Sequence, residues 1–233
     1  MSLEILYEDN HIIAVNKKAG DLSQGDKTGD ETLADDVKAY IKKKYNKPGD
    51  VFLGIVHRLD RPVSGVTVFA RTSKALERLN KMFQEKTIQK TYWAIVESQP
   101  PAEMGTLVHY IKKDQEKNKS RAYDKEVRDS KRSELDYQLL GRSKNYFYLE
   151  IKPKTGRHHQ IRVQLSHIGC VIKGDVKYGG KRTNKDGGIH LLSRQIEFLH
   201  PTTLEPIKIT ANPIKDPLWN ELFQISKYAN IDL

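Results

Sequence analysis

Short apolar and β-branched runs recur along the chain and constrain its fold more than any other feature. Runs typical of β-strands cover residues 3–7, 12–16, 66–70, 90–96, 135–140, 146–151, 189–199 and 207–211. Helices are predicted from Thr32 to about Tyr45, from Thr72 or Ser73, around Ile161 and Leu165, and from Asp216. Because no regular βαβ alternation is present, we expect an α+β fold, a largely antiparallel mixed sheet with flanking helices. No repeat or linker divides residues 1–233, which favours a single domain.

The net positive charge of the chain indicates the kind of molecule that it binds. Lys and Arg number 40 against 30 Asp and Glu, a net charge of +10 that suits a polyanion such as nucleic acid, although a merely basic protein has the same balance. Cys170 is the only cysteine, so neither an intrachain disulfide nor a cysteine-based metal site can form. With no apolar signal segment and no run of membrane-spanning length, we expect a cytoplasmic protein that does not contact a membrane.

A carboxylate lies in an unusual setting within residues 54–66, GIVHRLDRPVSGV. The apolar run at residues 51–56 predicts a buried strand, and Pro62 and Gly65 end regular structure after it. Asp60 therefore follows a strand end with Arg58 and Arg61 beside it, and nearby cations favour the charged form of a carboxylate. Two interpretations remain open from the local pattern: Asp60 caps a turn, or it is catalytic and the arginines hold an anionic substrate.

Residues 111–132 are dominated by charge. Nine lysines and arginines, Lys117 and Lys119 among them, accompany five acids with almost no apolar spacing. Such a run is usually a solvated loop. Its positive excess and Tyr123, a possible stacking ring, make an RNA-contacting arm an equal alternative.

Several motifs, in order from about residue 3 to 212, resemble those of the RluA-type pseudouridine synthases. They read EDNHIIAVNKKAG, HRLDRPVSGV, KTYWAIV, GRHHQIRVQL, GDVKYGG and IHLLSRQIEFLHP. Four positions depart from the family pattern: Lys18 replaces a proline, Val63 and His158 each replace a threonine, and Leu192 replaces a histidine. The resemblance implies the pseudouridine synthase fold, with a central RNA-binding cleft and no metal or redox cofactor.

The resemblance also assigns three catalytic roles. Asp60 matches the carboxylate that stabilises positive charge at C1′ of the ribose or bonds to it, as carboxylates do in glycosidases. Tyr92 matches the residue placed against the base, a candidate proton acceptor. Arg162 matches the cation that keeps the catalytic carboxylate charged and oriented. Taken alone, Tyr92 would be interpreted as a core aromatic residue and Arg162 as a solvated helix residue.

The same resemblance implies which residues contact the RNA. Arg58 matches the residue that fills the gap left when the target base leaves its stack, and Arg61, Lys90 and Arg157 are weaker candidates for binding phosphate. The chain begins at the first hairpin of the catalytic domain, so we expect it to lack the S4 module that many members carry. Structured RNA, ribosomal or transfer, is the expected partner, and no obligatory protein partner is inferred.

Two other functions compete with an RNA-modifying enzyme. A non-catalytic RNA-binding module would keep the fold, but it would not need the carboxylate. A nuclease or glycosidase would need further acids, and Asp175 is the only tempting second one, although its glycine-rich surroundings favour a turn. His57, His158 and His159 lack the spacing of a metal site and are interpreted as structural or RNA-contacting.

Overall fold

The structure is a computed structural model that describes residues 3–23, 25 and 30–228. It confirms the α+β class with a largely antiparallel sheet: the described residues form eleven strands and four α-helices. Backbone contacts divide the chain into a first unit, Met1–Lys90 with Ser193–Asn212, and a second unit, Thr91–Leu192 with Pro213–Leu233. Within the described residues, no helix has the length and apolar character needed to cross a membrane.

The first unit is a sheet covered by one helix on each face. Its strands are β1 (Ile5–Glu8), β2 (Ile12–Lys17), β3 (Gly54–Ile55) and β4 (Ser64–Ala70), joined by β10 (Leu191–Leu199) and β11 (Pro206–Thr210); its helices are α1 (Leu33–Lys44) and α2 (Ser73–Glu85). Side chains alternate along β2, so that Ile13 and Val15 pack against α1. Ile12 and Ala14 pack on the other face, against α2. Both faces of the central strands are therefore buried.

Helix capping confirms both predicted helix starts in this unit. Thr32 forms a capping box with Asp35 at the start of α1, and the Thr72 hydroxyl accepts the amide hydrogen of Ala75 at the start of α2. The strand predicted for residues 51–56 is wrong, because only β3 pairs there, with the last two residues of β4. Of the other apolar residues in that run, Val51 and Leu53 pack against α1, whereas Phe52 is exposed.

The second unit is built on antiparallel strands in the order β5, β9, β8, β6, β7. These strands are β5 (Gln89–Val96), β6 (Met104–Asp114), β7 (Lys119–Tyr123), β8 (Lys131–Arg142) and β9 (Phe147–Pro153), and the helices are α3 (Gln160–His167) and α4 (Pro217–Tyr228). Trp93 and Ile95 of β5 pack on Trp219 and Leu222 of α4. Leu192, one of the departures from the family pattern, lies fully buried in this cluster.

The solvated loop that was one of two interpretations of residues 111–132 is wrong for part of this segment. The segment contains the β6–β7 hairpin, in which Asp114 pairs with Lys119 across the turn. Ile111 and Ala122 face inward and pack with Val163 of α3. The hairpin is thus anchored by two inward-facing apolar residues, and the cations of the segment lie on a paired backbone.

Candidate active site and RNA-contacting residues

Asp60 lies in a loop between β3 and β4 whose backbone is fixed by specific contacts. Leu59 is buried, and its N–H and carbonyl bond to the Ser23 hydroxyl at 3.3 and 2.9 Å. The carbonyl of Asp60 accepts the amide hydrogen of Val63 at 3.0 Å and closes a turn. Gly65 follows with φ of +114°, where an added Cβ would lie 2.3 Å from a backbone oxygen, so only glycine fits. The loop thus presents a half-buried Asp60 from a rigid base.

Lys17 holds this loop, and no feature of the sequence singled it out. The last residue of β2, it is completely buried. Its ammonium donates to the carbonyl oxygens of Lys18 at 2.9 Å, Arg61 at 3.1 Å and Val63 at 2.8 Å. Two of these carbonyls directly follow Asp60, so the buried ammonium is a positioning device for the backbone next to that residue.

Burial also alters the titration of Lys17. Removal from water lowers the pKa of this amine to about 8, although the negative charges of Asp21 and Asp60 act in the opposite direction. Asp60 is therefore electrostatically coupled to the cation that fixes its loop.

His57, at the start of the loop, and Lys90 lie next to the same ring, that of Phe83. The Nε2 atom of His57 accepts the amide hydrogen of Val68 at 2.9 Å, and its ring stacks on Phe83 with centroids 5.2 Å apart. Burial, reinforced by the charge of Lys90, lowers the pKa of His57 to about 3, so this ring is neutral and structural. The Lys90 ammonium lies 5.9 Å from the Phe83 centroid, and burial lowers the pKa of this lysine too.

The two arginines next to Asp60 differ in their surroundings. Arg58 is exposed. Arg61 is exposed as well, but its Nε donates to the carbonyl of Gly20 at 3.0 Å and its guanidinium lies 3.7 Å from Asp30. Arg61 therefore contributes to the fixed geometry of the loop through both its side chain and its carbonyl.

In the second unit, Tyr92 lies on β5 opposite Ile151 of β9. It is half-buried, whereas the neighbouring Trp93 belongs to the apolar core. Successive residues of a strand point to opposite faces, so Tyr92 projects away from that core. The core-aromatic interpretation thus applies to Trp93 and not to Tyr92.

Arg162 is buried on α3 and not solvated. Its Nε and Nη2 donate to the two carboxylate oxygens of Asp175 at 2.7 and 2.8 Å, and both side chains are at most 5% exposed. This bidentate pair is the strongest geometry available to an arginine and a carboxylate. Asp175 does begin the expected turn, a 3₁₀ turn at Val176–Tyr178, but its carboxylate also fixes the guanidinium. No local pattern connects residues thirteen positions apart in this way.

Tyr178 completes the support of Arg162, whose guanidinium carbon lies 5.1 Å from the centre of the tyrosine ring. The Tyr178 hydroxyl accepts the amide hydrogen of Ser120 and is bonded to Nδ1 of His159, both at 2.8 Å. Burial, followed by the charges of Arg162 and other nearby cations, lowers the pKa of His159 to about 2. His158 contacts the Ser120 hydroxyl at 2.9 Å. Both histidines therefore have structural contacts.

The remaining cations predicted to contact RNA lie around the hairpin and the start of α3. Lys117 and Arg157 are exposed, and the Lys119 ammonium lies 5.1 Å from the centre of the Tyr178 ring. Lys177, not singled out from the sequence, donates to the carbonyl of Asn118 at 2.9 Å in the hairpin turn. Positive charge is thus concentrated where β7 meets the 3₁₀ turn.

Comparison with known proteins shows to which family this chain belongs. A family profile described as RNA pseudouridylate synthase matches residues 11–167, a segment that contains Asp60, Tyr92 and Arg162. The chain belongs to this family. This pseudouridine synthase is 32% identical to tRNA pseudouridine synthase C of Vibrio parahaemolyticus, a match that covers 96% of this chain and 94% of the relative. It is 35% identical to ribosomal large subunit pseudouridine synthase C of Buchnera aphidicola, over 89% and 66% of the two chains.

Solved structures agree with the fold. Human RNA pseudouridylate synthase domain containing 4 superposes with a TM-score of 0.77 at 22% identity, over 96% of this chain and 93% of that one. The predicted RluA-type family and pseudouridine synthase fold are therefore confirmed, and the chain is a pseudouridine synthase.

Proposed function

We propose that this synthase converts uridine to pseudouridine in tRNA or rRNA, with Asp60 acting at C1′ of the target ribose. The family match across Asp60, Tyr92 and Arg162 is the observation that carries the proposal. The substrate class rests on relatives whose names specify tRNA or the large ribosomal subunit.

The chemistry rearranges one nucleotide. The C1′–N1 bond breaks, the uracil turns, and C1′ bonds to C5, which releases its proton while N1 gains one. No electrons leave the nucleotide. A carboxylate close to C1′ meets the main demand of this reaction, because positive charge develops at that carbon when the glycosidic bond breaks.

Each proposed role has local support in the structure. Asp60 is suited to a fixed position because buried Lys17 binds the carbonyl oxygens of Arg61 and Val63, which directly follow it in the loop. Arg162 is proposed to keep Asp60 charged, and its guanidinium is immobilised by Asp175 through one edge. Tyr92, which projects from the non-core face of β5, is proposed as the acceptor of the C5 proton.

The cations are proposed to bind the RNA. Arg58 is assigned to the space that the target base vacates, because unstacking a base costs a few kcal/mol that other contacts have to offset. Its exposure beside Asp60 supports this role. Backbone phosphates are assigned to Arg61, Lys90, Arg157, Lys117 and Lys119. Lys90 has the weakest support of these, because it is half-buried against Phe83.

The test is a map of pseudouridines in tRNA and rRNA from cells with and without the gene. We expect at least one uridine to lose its modification in the deletion strain and to regain it with the wild-type gene but not with Asp60→Asn. Asp50→Asn, a change at an exposed aspartate ahead of the loop, is the matched control and should restore the modification. An unchanged map in the deletion strain would reject the proposed substrate class.

A further inference from the structure

Three potential metal ligands converge on one side of the second unit, and the reaction uses none of them. His109 lies on β6, Asp124 directly follows β7, and His167 is the last residue of α3. One ligand atom from each residue lies within 4.8 Å of the other two. The positions are 15 and 43 residues apart, so no spacing in the sequence indicates the cluster.

The distances suit a small divalent ion. The same oxygen of Asp124 lies 2.8 Å from Nε2 of His167 and 3.8 Å from Nε2 of His109, the latter too long for a hydrogen bond. Around a tetrahedral Zn²⁺, nitrogen and oxygen ligands at about 2.0–2.2 Å from the metal are separated from one another by roughly 3.4 Å. The two separations that involve Asp124 bracket this value and would each change by about half an ångström, and all three ligand atoms already lie within 4.8 Å of one another.

The surroundings allow a three-ligand site with an open position. His109 is buried, whereas Asp124 and His167 are exposed, so water can complete the coordination from the solvent side. Two imidazoles and one carboxylate are a ligand set suited to zinc and similar transition metals, and not to calcium or magnesium, which prefer oxygen ligands.

A second observation concerns the amide of Gln164, which lies behind His109. Its Nε2 is 3.1 Å from Nδ1 of His109, and its buried Oε1 has no hydrogen-bond partner among the residues that the structure describes. A metal on Nε2 of His109 places the ring proton on Nδ1, which then requires an acceptor. Rotation of this amide would supply the unused oxygen, although it would sacrifice the bonds from Nε2 to the carbonyl oxygens of Leu107 at 3.1 Å and of Ser133 at 3.4 Å.

We propose that His109, Asp124 and His167 bind a divalent transition-metal ion of the zinc type. The ion would connect the β6–β7 hairpin, which carries Lys117 and Lys119, to α3, which carries Arg162. Its role is to hold the charged hairpin against the helix. The proposal is independent of the proposed function because it assigns the ion no part in the isomerisation.

The test is metal binding by the untagged full-length protein after treatment with a chelator. Titration with Zn²⁺ followed by calorimetry, and with Co²⁺ followed by visible absorption, should show one ion per chain and the bands of a tetrahedral cobalt site. Mutation of a residue that only hydrogen-bonds to a metal ligand lowers metal affinity about 10–100-fold. Because Asp124 and His167 are proposed as ligands themselves, Asp124→Asn and His167→Ala should each weaken zinc binding by at least about 100-fold. Both positions are exposed, so we expect both variants to fold. Urea unfolding of each variant tests whether a loss of zinc binding reflects a loss of folding.

Asp129→Asn is the matched control. It removes an exposed aspartate from the same segment, one that lies 3.5 Å from the Lys112 ammonium, and it should bind zinc as the wild type does. Zinc at 100 times its dissociation constant should also raise the melting temperature of the wild type and of the control, but not of His167→Ala. Absence of stoichiometric binding by the wild type, or binding that persists in both ligand variants, would overturn the proposal.

Discussion

Lys17→Met separates the positioning of Asp60 from the stability of the fold. Methionine keeps the length and apolar character of the lysine side chain and removes only the ammonium. Of the three carbonyls that lose a donor, that of Arg61 retains the amide hydrogen of Gly20 at 2.8 Å, and that of Lys18 retains the amide hydrogen of Asp21 at 3.4 Å. The bond to Val63, which is fully buried, is the main loss.

Two opposing contributions determine the change in stability. Loss of a donor to a buried carbonyl costs about 1–3 kcal/mol. The buried charge itself is unfavourable, since lowering the pKa of Lys17 from 10.5 to about 8 corresponds to about 3 kcal/mol at pH 7. Because these contributions nearly cancel, we expect the free energy of unfolding of Lys17→Met to lie within about 2 kcal/mol of the wild-type value.

Activity should respond far more strongly. Without the ammonium, the backbone of residues 61–63 is free to shift, and a displacement of about 1 Å at a catalytic group can cost 100-fold in rate. We therefore expect single-turnover tritium release from RNA labelled at C5 of uridine to slow by about 100-fold. Lys42→Met, a change at an exposed lysine of α1, is the control and should leave the rate unchanged.

The pH dependence gives an independent check. Because the pKa of Lys17 is lower in the folded than in the unfolded state, the unfolded chain binds more protons between about pH 8 and 10.5. The free energy of unfolding of the wild type should therefore rise relative to that of Lys17→Met, by up to about 3 kcal/mol, across this range. A wild-type rate for Lys17→Met, or a fall in rate fully explained by unfolding, would refute the positioning role.

Three further predictions concern the second unit, the hairpin and the catalytic loop. Asp175→Asn removes the bidentate partner of buried Arg162 and should lower the free energy of unfolding by about 3–5 kcal/mol in urea titrations; a change below about 1 kcal/mol would contradict this. The double variant Lys117→Ala/Lys119→Ala should flatten the slope of log K for RNA against log salt by about 1.4–1.8 if each lysine contacts one phosphate, and an unchanged slope would remove the hairpin from the interface. Gly65→Ala should lower the melting temperature through backbone strain and a clash, a loss of more than about 2 kcal/mol, and a fully stable variant would show that the loop can move.

Local signals in the sequence were sufficient where local interactions decide the structure. The starts of α1 and α2 were predicted at Thr32 and Thr72 because a capping hydroxyl bonds to the backbone three residues ahead. The run at residues 51–56 was wrongly predicted as a full strand, because only Gly54 and Ile55 pair with β4 while Val51 and Leu53 pack against α1.

Contacts between residues far apart in the sequence could not be predicted from local patterns. Lys17 bonds to carbonyls 44 and 46 residues away, and a lysine at the end of an apolar strand gives no indication that it is buried. Asp175 was interpreted as part of a turn because its neighbours are glycines, yet its carboxylate is the partner of Arg162. Asp60, Tyr92 and Arg162 themselves were identified through their motifs and not through any physical property of the isolated residues.

The central claim is that the carboxylate of Asp60 acts directly on the ribose. Single-turnover isomerisation of substrate RNA by Asp60→Asn and Asp60→Ala, with RNA affinity measured in parallel, tests it most directly. We predict no detectable pseudouridine from either variant and nearly unchanged RNA binding. Pseudouridine formation by either variant would contradict the assignment.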